Sequence, residues 1–181
     1  DYSGTVHIDV NSANTGTNYP MGTGGYPLNN LADALAVMAT RGLEKIEIDS
    51  DLTIDQAITD ITITALNPSS KVTIDSVVIT KVTFDHITVA GTFGIGSSLI
   101  VIDEGVVADG TVNLSGFIDR CRFEGEFFPA DSVQLDINDS LSVIPGTGSP
   151  TINFANVVTQ GRVSIRRFAG GLRFENMTIA D

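Results

Sequence analysis

The sequence predicts a mainly β protein built as a solenoid of stacked parallel coils, with one α-helix at its N-terminal end. Three observations carry this. Short β-branched segments, most of three to five residues, follow one another from residue 45 onward, below the usual strand length of about five to six. Asn-Gly hairpin signals are nearly absent, and Asp109-Gly110 is the lone good one. Apolar-Thr-apolar units recur at Leu52-Thr53-Ile54, Ile61-Thr62-Ile63, Val72-Thr73-Ile74, Val82-Thr83-Phe84 and Ile87-Thr88-Val89. A repeating coil would turn each Ile or Val inward and each Thr outward. An antiparallel sandwich or barrel is the other architecture open to many short strands.

Taken in order, residues 5–10 alternate apolar and polar and read as a strand. Residues 11–26 are rich in Asn, Gly, Thr and Ser and form a loop. A helix follows over residues 28–41. Asn29 or Asn30 can cap it, Asp33 suits its first turn, and Gly42 suits its C-terminal stop. Leu31, Leu35, Met38 and Ala39 fall at i, i+4, i+7 and i+8 and make one apolar stripe. That stripe fits a cap over the coil end, where an open strand edge would otherwise invite aggregation. After Gly42 the period changes from 3.6 to 2. Strand-like segments fall at 45–48, 52–54, 61–64, 72–74, 77–80, 82–84, 87–89, 99–102, 111–114, 121–123, 133–137, 151–154, 162–165, 172–174 and 177–179. A coil of about 135 residues at roughly 20–25 per turn gives about five to seven turns. The expected division is 1–42 for strand, loop and capping helix, and 43–181 for the coil. The last strand has nothing obvious to cap it, which reads as a truncation or as a contact with another chain. The start at Asp1 without Met likewise reads as a fragment or a processed product.

Composition narrows the function. At 181 residues the chain is one domain's worth, or part of a larger one, and its formal charge of -12 opposes nucleic-acid phosphates and anionic membrane surfaces. No apolar run approaches the ~18–20 residues that span a bilayer. Cys121 is the only cysteine, so no intrachain disulfide forms.

Three stretches carry a resemblance. Gly22-Thr23-Gly24-Gly25-Tyr26-Pro27-Leu28-Asn29-Asn30-Leu31-Ala32-Asp33-Ala34-Leu35-Ala36 resembles an entry segment, G-T-x-x-x-P-x-N-N-L-A-D-A-L-A, of a module in tailed-phage and prophage virion proteins. Ile144-Pro145-Gly146-Thr147-Gly148-Ser149-Pro150-Thr151-Ile152 resembles its P-G-T-G-x-P-T-I turn, and Phe168-Ala169-Gly170-Gly171-Leu172 its later x-G-G-[LI] turn. Phe117-Ile118-Asp119-Arg120-Cys121-Arg122-Phe123-Glu124-Gly125 is similar to one of its repeat turns. The resemblance runs loosely over residues 5–179. It implies a right-handed parallel β-helix in a tail fibre, tail spike or related virion projection, assembled as a homotrimer. Its partners would be other virion proteins and, for a spike, a host surface glycan. It carries over no catalytic motif and no cofactor.

The residues give little for chemistry. His7 and His86 lack the neighbours that a metal site needs and read as surface or edge residues. Cys121 lacks a nearby histidine base and reads as a small core side chain. Sugar cleavage needs two carboxyls about 5–10 Å apart. The candidates are Asp103 with Glu104, and Asp119 with Glu124 or Glu126, although 22 acids produce such pairs by chance. There is no Trp, and Tyr2, Tyr19 and Tyr26 all precede the coil. Asp49-Ser50-Asp51 and Asp136-Ile137-Asn138-Asp139 could supply oxygens to calcium but read first as turns. Gly22-Thr23-Gly24-Gly25 lacks the lysine of a phosphate loop. Arg166, Arg167 and Arg173 are expected to pair with acids. The expectation is a non-catalytic structural protein, with no catalytic, cofactor or metal residue assigned. The alternative is a carbohydrate-binding or polysaccharide-cleaving spike.

Overall fold

The computed structural model describes residues 1–67, 69–142, 150–159 and 161–177. It is a parallel β-solenoid of about six turns with one helix. One face is an eight-stranded sheet of β1 (Val6–Ile8), β2 (Lys45–Ile48), β4 (Ile58–Ala65), β6 (Ile79–Asp85), β8 (Val101–Asp103), β11 (Gly116–Asp119), β14 (Gln134–Asn138) and β17 (Arg162–Arg166), in that order. The returning face begins with β3 (Leu52–Ile54), β5 (Lys71–Asp75) and β7 (Thr88–Thr92). At β7 it divides. Thr88 and Val89 pair with β9 (Val106–Val107), while Thr92 pairs with β10 (Thr111–Leu114). One branch continues through β12 (Arg122–Phe123) and β15 (Leu141–Ser142). The other continues through β13 (Glu126–Pro129), β16 (Thr151–Asn153) and β18 (Arg173–Glu175). Coils therefore have two sides up to β7 and three beyond it. Asp109-Gly110 is not a hairpin; it turns the chain between β9 and β10 at this division, with Gly110 at φ +74°.

Register holds the coils together. Val6, Ile46, Ile63, Phe84, Ile102, Ile118, Ile137 and Ile165 stand in one column of the long sheet. The first seven are fully buried. Leu52, Val72, Val89, Val107 and Phe123 form the facing column, also buried. Each such side chain is worth about 1.5–3 kcal/mol on burial. The threonines between them, such as Thr53, Thr62 and Thr73, point away from the core, as the alternation predicts. Where coils lie closest, only glycine fits. A Cβ on Gly91 would sit 2.3 Å from the Ile74 carbonyl oxygen, and one on Gly116 2.2 Å from that of Ile100. Both glycines also have positive φ.

Helix α1 (Leu31–Arg41) packs on β1, the first rung of the long sheet. It starts at Leu31 rather than at 28, because Asn30 is the residue whose side chain accepts the Asp33 amide at 2.8 Å. Leu28 instead bridges Ile8 and is fully buried. Gly42 closes the helix in the left-handed region, with its amide on Met38. The buried stripe is Leu31, Ala34, Val37 and Met38; Leu35 is half-buried and Ala39 exposed. The seat thus follows the i, i+3, i+6/i+7 rows rather than the i+4 row the sequence suggests. Residues 79–80 of the segment at 77–80 join the segment at 82–84 in β6, bent at Lys81 with φ +52°, while Val77 and Val78 precede the strand. The short strands β9, β11, β13 and β15 are not evident from the sequence. Residues 144–149 of the P-G-T-G turn and 178–179 of the final segment lie outside the described residues.

Candidate functional site

Immediately after the Phe84–Ile165 stretch of the long column, each coil turns a corner. The residue next to the column faces outward: Asp85, Asp103, Asp119, Asn138 and Arg166. The residue after that adopts positive φ in every coil: His86, Glu104, Arg120, Asp139 and Arg167, between +45° and +55°. Four of these corner amides donate to the next coil: His86 to Asp103, Glu104 to Asp119, Arg120 to Asn138 and Asp139 to Arg166, at 3.0 or 3.1 Å. That bond rewards a backbone conformation which otherwise costs a non-glycine residue energy.

Side-chain charge alternates along this corner. His86 Nδ1 lies 2.6 Å from Asp85 Oδ1, and its Nε2 lies 2.5 Å from Glu104 Oε2. The hydrogen bond that His86 donates to Asp85, opposed by burial and aided by the charges of Asp85, Glu104 and Asp103, raises the His86 pKa. Only the imidazolium can donate on both sides at once. Arg120 then binds Glu104 through Nε at 2.8 Å, Asp103 through one terminal nitrogen at 2.6 Å and Asp119 through the other at 2.9 Å. Arg167 forms a forked pair with Asp139, and this hydrogen bond lowers the Asp139 pKa.

The predicted site residues fall as follows. Asp103 and Glu104 do come together, but Arg120 lies against both. Asp119 shares that arginine, whereas Glu124 accepts from Arg122 at 2.6 Å and Glu126 from Asn153 at 2.7 Å. A sugar-cleaving pair needs one carboxyl free to carry a proton, and each of these already has a cation or amide partner. Cys121 is fully buried, donates to the carbonyls of Asp119 and Ile102, and is pushed up to about 12 by burial. His7 is half-buried, 3.1 Å from Glu47 without hydrogen-bond geometry. Asp51 accepts the Lys71 amide and Ser50 the Val10 amide, each tying one coil to another. Asp136 takes the Gln134 amide group at 2.5 Å. Within Gly22–Gly25, Thr23 bridges Tyr26, and Gly22 packs on Val6, Leu28 and Tyr2. Arg173 pairs with Glu175 at 2.8 Å, and Arg167 with Asp139, while Arg166 has no ion-pair partner among the described residues. No metal-holding group of His, Cys, Asp or Glu occurs among the described residues, and no helix there is long and apolar enough to cross a membrane.

Two surface features had no sequence signal. A groove of about 380 Å³ on the long sheet's outer face is lined by Leu99, Val101, Phe117 and Val133, with Gln134 and Asp136 beside them. A cleft of about 540 Å³ lies beside the helix start, with Asn29, Asn30, Asp51 and Asp55. The charged corner itself could have been found by aligning Phe84, Ile102, Ile118, Ile137 and Ile165, but unequal spacing between these residues hides it.

Comparison with known proteins adds no identity: no family model, no curated protein and no solved structure matches the chain. Fold and corner together define a β-solenoid held in register by an apolar interior and an ionic edge.

Proposed function

We propose that the chain is a rigid, non-catalytic module of a phage virion projection, a tail fibre, spike or related appendage, assembled as a homotrimer with other virion proteins. The observation that supports this reading best is the uninterrupted column from Val6 to Ile165, which makes the coil a stiff element rather than a frame around a cleft. The resemblance of Gly22–Ala36 to the virion entry segment points the same way. In this reading the ionic corner binds successive coils, and the acidic surface keeps the projection soluble. A host glycan would meet the module on its outer faces. The polysaccharide-cleaving alternative has less support, since the candidate carboxylates are already partnered. Light scattering on the purified protein tests assembly. A particle of about three times 19.1 kDa is expected, and a stable monomer at micromolar concentration would sink the trimer. Antibodies raised against the chain should decorate a projection in negative-stain images of virions that carry it. Decoration of no virion structure would sink the phage assignment.

A further inference from the structure

The outer face of the long sheet is polar except at two rungs in its middle. One outward column runs Lys45, Thr62, Thr83, Val101, Phe117, Asp136 and Ser164. Val101 and Phe117 interrupt it on successive coils, both of which have a paired coil on either side. Leu99 and Val133 flank them, and the small Ser115 and Gly116 leave room between, which makes the groove of about 380 Å³. The coil's own packing does not call for these side chains, since Leu99 is 64% and Phe117 41% exposed. The same chain carries the converse shape. Ile95 is 92% exposed between Gly94 and Gly96, on the loop that leads from β7 to β8. Exposed apolar features of this kind mark contact surfaces.

Charge indicates which partner they admit. A second copy brings its own formal charge of -12 and is repelled by an acidic surface. Residues 87–102, which include Ile95, Leu99 and Val101, carry no charge at all. Around the groove the signs balance. Asp60 and Lys81 form an ion pair at 3.4 Å on the coils below, and Asp136 and Arg162 stand on the coils above. A like-charged copy can therefore approach here. A closed ring of three needs a heterologous contact, in which two different surfaces of each copy meet. A knob and a groove on one chain are such a pair. Resting on the homotrimer reading above, we infer that the groove of Leu99, Val101, Phe117 and Val133 is the subunit interface, and that its occupant is Ile95 of a second copy.

Light scattering on the intact protein and its variants tests this. At a concentration where the parent weighs about three times 19.1 kDa, Ile95→Asp should weigh a third as much, because the contact cannot bury an unpaired charge. Its circular dichroism should match the parent, since so exposed a side chain adds nothing to the coil's packing. Phe117→Glu should have the same effect from the groove side, and Leu99→Glu repeats that cut if Phe117→Glu does not fold. Thr53→Glu, exposed on the returning face, should keep the parent mass. Mixing Ile95→Asp with Phe117→Glu should give 1:1 pairs, because the first keeps its groove and the second its knob. A trimer that persists in Ile95→Asp or in the folded groove variant overturns the inference and leaves the trimer reading standing, with the groove open to an outside ligand such as a glycan. A mixture that stays monomeric, or a Thr53→Glu that dissociates as well, also overturns it. A monomeric parent ends both.

Discussion

At one end of the long sheet, β1 lies beneath α1, and its Val6 and Ile8 are at most 1% exposed. At the other end, β17 places Val163 and Ile165 in inward columns that leave both half-exposed, and no residue after Ile152 is fully buried among those described. The same register and the same residue types give different burial because a solenoid coil is stabilised by its neighbours. An internal coil has two, the first rung has one and a helix, and the last described rung has one. Among the described residues, local stability should therefore grade along the axis and be lowest at β17 and β18.

The sharpest break of this comparison uses one column. Ile63→Asp puts an unpaired charge at a fully buried position between two coils, so cooperative folding should be lost, a cost beyond about 4–5 kcal/mol. Ile165→Asp, in the same column, should cost no more than about 1–2 kcal/mol, because water already reaches the site. Urea unfolding followed by circular dichroism separates the two. Equal destabilisation would mean that the last coil is as well packed as the interior.

Glycine gives the next contrast. Gly91→Ala must push its Cβ against the Ile74 backbone at positive φ, and should cost at least about 2 kcal/mol. Gly170, on the last coil, also has positive φ, but its nearest neighbour is the Ser142 hydroxyl, which can rotate away. Gly170→Ala should therefore cost only about 1 kcal/mol. Melting temperatures of the two variants give the order, and a Gly170→Ala that melts lower than Gly91→Ala would reverse the proposed gradient. At the covered end, Asn30→Ala removes the acceptor of the Asp33 amide and should cost about 1 kcal/mol. A variant as stable as the parent would mean that the cap does not anchor the helix over β1.

The apolar interior was legible because it obeys a local rule. Alternation at Leu52-Thr53-Ile54 or Val72-Thr73-Ile74 states which side chain turns inward without any knowledge of the neighbour. The two-residue strands β9 and β15 were harder, since Val106-Val107 or Leu141-Ser142 is too short to show a period and exists only because a coil lies beneath it. Asp109-Gly110, the one hairpin-like pair, shows the same limit: a residue pair fixes the backbone of a turn but not whether the next strand pairs within the chain's own coil. The charged corner was invisible because its partners lie one coil apart. Glu104 acquires meaning only when His86 and Arg120 are placed on either side of it, and unequal loops conceal that placement. The helix stripe was read one row off, since propensity does not say which flank of an amphipathic face meets β1.

The smallest effect expected is also the one that distinguishes the two ends of the corner. The His86 pKa is raised, first by its hydrogen bond to Asp85 and then by the charges of Asp85, Glu104 and Asp103, so folding favours the protonated ring. That contribution is complete below the unfolded value of about 6.5 and is lost as pH rises through the folded value. The ring is 58% exposed, so screening by water keeps the effect small. Asp139, at the far end of the corner, behaves in the opposite sense. Its pKa is lowered by the hydrogen bond from Arg167, so its contribution is present above the unfolded carboxyl value of about 3.9 and is lost as pH falls through the folded one. The corner should thus loosen near β6 and β8 on the alkaline side, and near β14 and β17 on the acid side. Melting curves of the parent and His86→Gln between about pH 6 and pH 8 test the first half. The parent should lose stability relative to the variant as pH rises. Curves that stay parallel across that range would show that Glu104 and Asp85 do not hold the imidazolium in the folded state.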